Sequence, residues 1–284
     1  MNKIAIAGAS GYLGRYVVKE LLKREIPTVA IVRNPKKLED LGVSSYLQVV
    51  EAEVTRPESL SGILDGIDVL VSTVGITRQK DGLSYMDVDF QANLNLLDEA
   101  KKAGVKKFIY ISAIGGSKYR NLKIFEAKEG FVDELKKSGM DYSILRPNGF
   151  FSDMEDFLKM AEKGRVFLFG KGDQKLNPIH GADLAEVVIN AINSPEKEIE
   201  VGGPELFSQN EIAELALKAY QKPLKIMHLP NWLGRATISF MRTFTSSKVY
   251  GPIEFFLTLM SEDQIAPQYG RHRLQDFFEE KIEN

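Results

Sequence analysis

The stretch from Lys3 to Arg24 restricts this chain more than any other, because it joins a short apolar run, a glycine turn and an amphipathic continuation. Lys3-Ile4-Ala5-Ile6-Ala7 has the pattern of a parallel strand covered on both faces. Gly8-Ala9-Ser10-Gly11-Tyr12-Leu13-Gly14 follows. From Leu13 the apolar positions Leu13, Val17 and Leu21, with Val18 and Leu22 beside them, recur at helical spacing as far as Arg24 and Pro27. A turn without side chains lets backbone approach a pyrophosphate, and the helix behind it aims its N-terminal amides and positive dipole end at the negative charge. The spacing therefore predicts a dinucleotide site built on Gly8, Ser10, Gly11, Tyr12, Leu13 and Gly14.

Downstream, strand and helix patterns alternate without hairpin signals, which predicts a parallel sheet with helices on both faces. Strands are expected at Thr28–Val32, Tyr46–Val50, Asp68–Ser72, Lys107–Ile111 and Tyr142–Leu145. A long helix is expected from about Ser84 to Ala103, with Val88, Ala92, Leu96 and Ala100 on one stripe and Gly104 as its C-cap. Thr55 and Glu58 form a capping-box pattern that opens another helix. Arg33 stands 19 positions after Gly14, where an acid would accept hydrogen bonds from a ribose 2′-hydroxyl. A cation there suits a 2′-phosphate, so NADP(H) is the expected cofactor.

With 284 residues, 44% of them hydrophobic, the chain has enough apolar side chains for a large core. Its 37 basic and 39 acidic residues nearly cancel, which favours neither nucleic acid nor an anionic membrane as a default partner. Cysteine is absent and the three histidines, His180, His228 and His272, are widely spaced, so no metal site is expected. No apolar run reaches the ~18 residues of a membrane span, and the first strand starts at residue 3. A cytoplasmic protein without stable membrane insertion is the expectation.

The GxxGxxG spacing is similar to that of the short-chain dehydrogenase/reductase superfamily. The segment Gly104–Ser112 resembles the strand of those reductases that ends in the active-site serine, Ser112 here. Thr73-Val74-Gly75 resembles the small-residue segment along the cofactor, and Arg146-Pro147-Asn148-Gly149 resembles the segment against its nicotinamide half. The resemblance implies cofactor contacts from Thr73, Gly75, Pro147, Asn148 and Gly149. It also implies either an adenine contact from Glu53 or, equally, a solvent-facing acid there. The chain is most similar to the atypical NmrA-like and isoflavone-reductase-like members, a Rossmann-type doubly wound parallel sheet with a smaller C-terminal substrate lobe.

One departure matters. The superfamily's tyrosine and lysine, YxxxK, correspond to Ile124 and Lys128, so the lysine remains while the tyrosine is gone. Tyr119 lies on the wrong side of that spacing. Ile124, Lys128, Phe131 and Leu135 share one helical stripe, and a lysine within an apolar stripe snorkels, pairs or works. Its place after Ser112 favours a role in catalysis and in cofactor binding, with Ser112 as a secondary donor.

The expected division is a dinucleotide-binding domain over residues 1–150, rejoined at about 178–199, and a substrate lobe from residues 151–177 and 200–284 that folds over the C-terminal strand ends. Asp183 and His180 are expected to be structural, Asp183 as a first-turn helix acid. The apolar and basic mixture from Trp232 to Phe244 could form an interfacial helix, although packing within the lobe is favoured. The expected activity is reduction of a small-molecule substrate such as a quinone or activated alkene by NADPH, in a monomer or homodimer. A non-catalytic NADP(H) sensor and a reductase-like assembly or scaffold factor remain the alternatives.

Overall fold

The computed structural model describes residues 2–76 and 82–283. A central parallel sheet has the order β3-β2-β1-β4-β5-β6-β9, from β1 (Ile4–Ala7), β2 (Thr28–Val32), β3 (Leu47–Glu51), β4 (Val69–Ser72), β5 (Lys107–Ile111), β6 (Asp141–Pro147) and β9 (Glu198–Val201). Between β6 and β9 the chain also forms β7 (Val166–Phe169) and β8 (Lys175–Leu176). Every residue of β1, β2, β4 and β5 is buried, as continuous apolar strands covered on both faces must be. The order reverses at β1 and β4, whose register pairs Ala7 with Ser72. In an open α/β sheet that reversal leaves a crevice beyond the C-terminal strand ends. The fold is thus the Rossmann-type α/β sheet expected of the alternating pattern.

The chain divides into two compact units. The first comprises residues 1–112, 116–146 and 184–199. Its helices are α1 (Tyr12–Lys23), α2 (Asn93–Lys102) and α3 (Lys123–Lys137), and its core includes Leu70, Leu96, Phe108 and Phe131. The second comprises residues 113–115, 147–183 and 200–284. It has its own core of Phe151, Phe157, Ile212, Leu217 and Phe278, among α4 (Glu155–Glu162), α6 (Gln209–Ala219) and α9 (Leu274–Glu283). Helix α5 (Gly181–Ala191) begins where the chain passes from the second unit to the first. In the second unit β7 pairs in parallel with β11 (Ile226–Leu229), and β8 pairs antiparallel with β10 (Phe207–Ser208). Two further helices, α7 (Asn231–Phe244) and α8 (Ser247–Leu259), complete it.

Three local expectations are corrected. The Thr55 hydroxyl does not cap a helix: it donates to the Glu53 carboxylate at 3.0 Å, and a short 3₁₀ turn over Pro57–Leu60 starts at Arg56 without a side-chain cap. The helix expected over Ser84–Ala103 is α-helical only from Asn93, because Met86–Ala92 winds as a π-helix. Asn93 holds that wider winding by donating from its side-chain amide to the carbonyls of Val88 and Asp89, at 3.2 and 3.0 Å. Finally, the Trp232–Phe244 segment is helical and packs within its lobe only in part: it lies against α8, but Gly234 is the sole buried residue of α7.

Candidate dinucleotide site

The first unit carries a cleft of about 350 Å³ beyond the C-terminal ends of β1, β2 and β4. Its floor is the glycine turn. Gly8 has φ +79°, a left-handed conformation that L side chains rarely adopt, and a Cβ there would stand 2.8 Å from Thr73 Oγ1. A Cβ on Gly14 would meet Gly8 O at 2.3 Å and Ala9 Cα at 2.8 Å. The third glycine thus lets α1 lie directly on the turn. Gly11 is the N-cap of α1; it brings no capping side chain, and the first turn of α1 holds no acid. The positive end of α1 is therefore left without an anionic partner from its own first turn.

The structure brings most of the expected residues together. Gly8, Ser10, Gly11, Arg33, Glu53, Thr73 and Gly75 all line the cleft, while Tyr12, Leu13 and Gly14 form the first turn of α1. Lys37 lines it too. The sequence reading passed over Lys37 within a basic loop, and only the return of that loop toward the glycine turn reveals it. Glu53 accepts hydrogen bonds from the amide and hydroxyl of Thr55, and its second oxygen lies 4.0 Å from the Arg33 guanidinium. Thus the acid and the arginine are partners across the rim, between the ends of β2 and β3.

The residues fit a dinucleotide. Glycines occupy the positions where a Cβ would collide, an uncapped helix end meets the cleft, and the rim carries Arg33 and Lys37 as cations.

Lys128 stands behind the cleft wall. Its ammonium lies 2.9 Å from Asp89 Oδ1, and a Cβ on Gly75 would fall 3.0 Å from Lys128 Nζ and 2.7 Å from that same carboxylate oxygen. A side chain at position 75 would therefore displace the ion pair from the back of the wall. Asp89 is fully buried, and its other oxygen accepts from the Ile76 amide at 3.2 Å. Burial alone would lower the Lys128 pKa, but attraction to Asp89 and interaction with the Tyr110 phenol outweigh it and hold the pKa above the usual lysine value. The ammonium remains charged throughout the physiological range. Sequence reasoning found Lys128 and missed Asp89; the available signal was the polar pair Asp89 and Asn93, four apart on an otherwise apolar flank.

Ser112 is placed differently. The residue is 4% exposed, and its hydroxyl donates to Glu129 Oε1 at 2.9 Å. The same carboxylate takes two bonds from the Arg146 guanidinium, at 2.6 and 2.9 Å. A Cβ on Gly116 would overlap Glu129 Oε1 at 2.3 Å, so the buried cluster also fixes a glycine. Neither Glu129 nor Arg146 was foreseen as a partner of Ser112. Tyr119 is buried and stacked near Phe125, and Ile124, in the tyrosine position, is buried as well.

Pro147, Asn148 and Gly149 belong to the second unit. There the Asn148 amide donates to Asn177 Oδ1 at 2.8 Å and to the Gln264 carbonyl at 2.6 Å, and its oxygen accepts from the Gly149 amide at 2.8 Å. These bonds lock the segment after β6. Asp183 does lie in the first turn of α5, but its carboxylate is spent on the His272 ring at 2.7 Å and on the amides of Arg271 and His272, both at 3.1 Å. His180 stacks on His272 with ring centroids 4.3 Å apart.

Comparison with known proteins agrees with this geometry. The chain is 28% identical to the chloroplastic divinyl chlorophyllide a 8-vinyl-reductase of Arabidopsis thaliana, over 98% of this chain and 76% of that protein. It is 25% identical to the photosystem II assembly factor Ycf39 of Synechocystis sp., over 86% of this chain and 74% of the other. The NADPH-dependent quinone oxidoreductase QOR2 of Escherichia coli, solved with NADPH, has the same fold with a TM-score of 0.71 and 21% identity, covering 98% of this chain and 99% of that one. A family model described as NAD(P)H-binding matches residues 8–195, which take in the glycine turn, the β2 rim, Ser112 and Lys128, and the chain belongs to that NAD(P)H-binding family.

Proposed function

We propose that this protein is an NADPH-dependent reductase whose acceptor is a small quinone or activated alkene. The observation that carries the proposal is the Lys128 ammonium, held charged by Asp89 behind Gly75, in a chain that places buried Ile124 where a proton-donating tyrosine would stand. When bound, the reduced nicotinamide supplies hydride. A carbonyl reduced in this way becomes an alkoxide that needs a positioned acid, whereas a quinone or conjugated alkene delocalises its charge and takes its proton from water. A fixed cation stabilises such a developing anion; Lys128 stands behind Gly75, so it would act across that backbone rather than by contact, and Asp89 keeps it in place without reorganisation.

The Ser112 hydroxyl already donates to Glu129, so its part in this reading is to hold the end of β5 against α3. Arg33 and Lys37 would select the 2′-phosphate of NADPH. The acceptor classes agree with those named for two similar proteins, a vinyl reductase and a quinone oxidoreductase.

A specific observation favours a second reading. One similar protein is an assembly factor, and both Ser112 and Lys128 here are paired with buried carboxylates. On that reading the site binds the dinucleotide as a structural or sensing ligand. The deciding experiment follows NADPH absorbance during incubation with benzoquinones, enones and vinyl-substituted tetrapyrroles. Oxidation with any of them supports the reductase. NADPH binding without oxidation across the panel establishes the sensing or assembly reading instead.

A further inference from the structure

Helix α7 is 14 residues long and buries only Gly234, whose missing Cβ would lie 3.3 Å from the Phe169 ring on β7. The helix rests on its unit at that point and against α8. Its other face is unusual for a surface. Trp232, Ala236, Phe240 and Phe244 recur every four residues, and with Leu233 they cover one flank of the helix. Trp232 is 62% exposed, Phe240 63% and Phe244 70%, and the two phenylalanine rings meet at a tilt with centroids 4.6 Å apart. On α8 the exposed residues Val249, Ile253 and Phe256 form a second stripe. Scattered exposed apolar residues need no explanation, but an exposed aromatic stripe on one helix beside an exposed apolar stripe on the helix packed against it does.

The charges on these helices name the occupant. The sequence of α7 contains no acid, and the one acid of α8, Glu254, is buried and bonded to Arg242. The exposed charged residues of the two helices are Arg235, Arg242 and Lys248; Arg242 is compensated by Glu254, so the two helices keep a small positive balance in a chain whose net charge is −2. An amphipathic helix with tryptophan and phenylalanine on one face and basic side chains beside it matches the boundary between headgroups and acyl chains of an anionic bilayer. A second copy would set like charges against each other. No helix among the described residues is long and apolar enough to cross a membrane, so the contact would be peripheral. We propose that α7 and α8 form a docking surface for anionic lipid membranes, with Trp232, Phe240 and Phe244 entering the interface. This does not depend on whether the dinucleotide site turns over.

Trp232 is the only tryptophan of the chain and reports the contact directly. Full-length protein is titrated with vesicles of phosphatidylcholine containing phosphatidylglycerol, and with phosphatidylcholine alone. A blue shift of the emission and co-sedimentation are expected with the anionic vesicles and should weaken as salt rises. Phe240→Ser and Phe244→Ser should each weaken binding at least about tenfold, the loss expected on withdrawing one phenylalanine from the apolar phase. Both residues are exposed, so thermal melts should match those of the parent; Arg235→Glu, which leaves the aromatic face intact, should also weaken binding. Unchanged emission with no co-sedimentation would overturn the proposal. A dimer by light scattering that Phe240→Ser dissolves would overturn it too, giving the face to a second copy.

Discussion

The Lys128 ammonium lies 2.9 Å from the carboxylate of Asp89, a residue without solvent exposure, and the two meet against the backbone of Gly75. Three segments far apart in sequence therefore depend on one buried ion pair. Breaking such a pair leaves an uncompensated charge, which costs far more than the pair contributes by being present.

Asp89→Asn should accordingly destabilise the protein by about 3 to 5 kcal/mol in chemical denaturation. Adding Lys128→Met should restore much of that loss by removing the stranded ammonium. The double variant should still bind NADPH yet oxidise it about 10² more slowly, the scale of losing one charge-stabilising group. Full turnover in the double variant would remove Lys128 from the chemistry. The pH dependence has a definite sign. Because the folded-state pKa of Lys128 is raised, its contribution is complete below the unfolded value of about 10.4 and is lost only as pH climbs through the higher folded value, so the lysine itself adds no slope near neutral pH, whereas burial raises the pKa of the Asp89 carboxyl against the pull of Lys128.

Arg33 lies 4.0 Å from Glu53 at the rim of the cleft, with more than half of its side chain exposed. A charge-assisted contact to a 2′-phosphate contributes roughly 1.5 to 3 kcal/mol, so Arg33→Ala should weaken NADPH binding by about tenfold or more and leave NADH nearly unchanged. Calorimetric titration of the two cofactors measures this. Identical losses for both would show that the arginine does not read the phosphate.

Gly14→Ala places a methyl group 2.3 Å from Gly8 O and 2.8 Å from Ala9 Cα, both backbone atoms with little room to move. Overpacking of this kind costs about 1 to 3 kcal/mol, and here it also displaces α1 from the turn. The melting temperature should fall and affinity for both cofactors should fall together, in contrast to the selective effect at Arg33. An alanine variant with parental affinity would exclude the turn from the site.

His180 gives a second pH signature. Burial, reinforced by the neighbouring His272 and only partly opposed by Asp183, lowers its pKa to about 4. With the folded value below the unfolded value of about 6.5, the contribution is present above pH 6.5 and is lost as pH falls through the folded value. Denaturation midpoints should drop between pH 6.5 and 4, and His180→Asn should flatten that drop. An unchanged slope in the variant would assign the acid sensitivity to other groups.

The glycine turn, the strands and the cation after β2 were legible in the sequence because each is a local pattern: apolar runs of strand length, glycines at fixed offsets and a charge at a strand end. Lys128 was legible for the same reason, as one cation in an apolar helical stripe. Its partner was not. Asp89 is separated from Lys128 by α2, β5, a loop and the first turn of α3, and the π-winding that seats Asp89 is accompanied by side-chain bonds from Asn93 that no periodicity encodes. Ser112 shows the same limit: its position at the end of β5 was readable, whereas its hydroxyl's commitment to Glu129 arises where α3 crosses the sheet. The exposure of α7 was misjudged because an amphipathic stripe states that a face seeks an apolar environment without stating which one. Local chemistry selected the elements, and packing between distant segments decided which polar groups were paired and which apolar face was left outside.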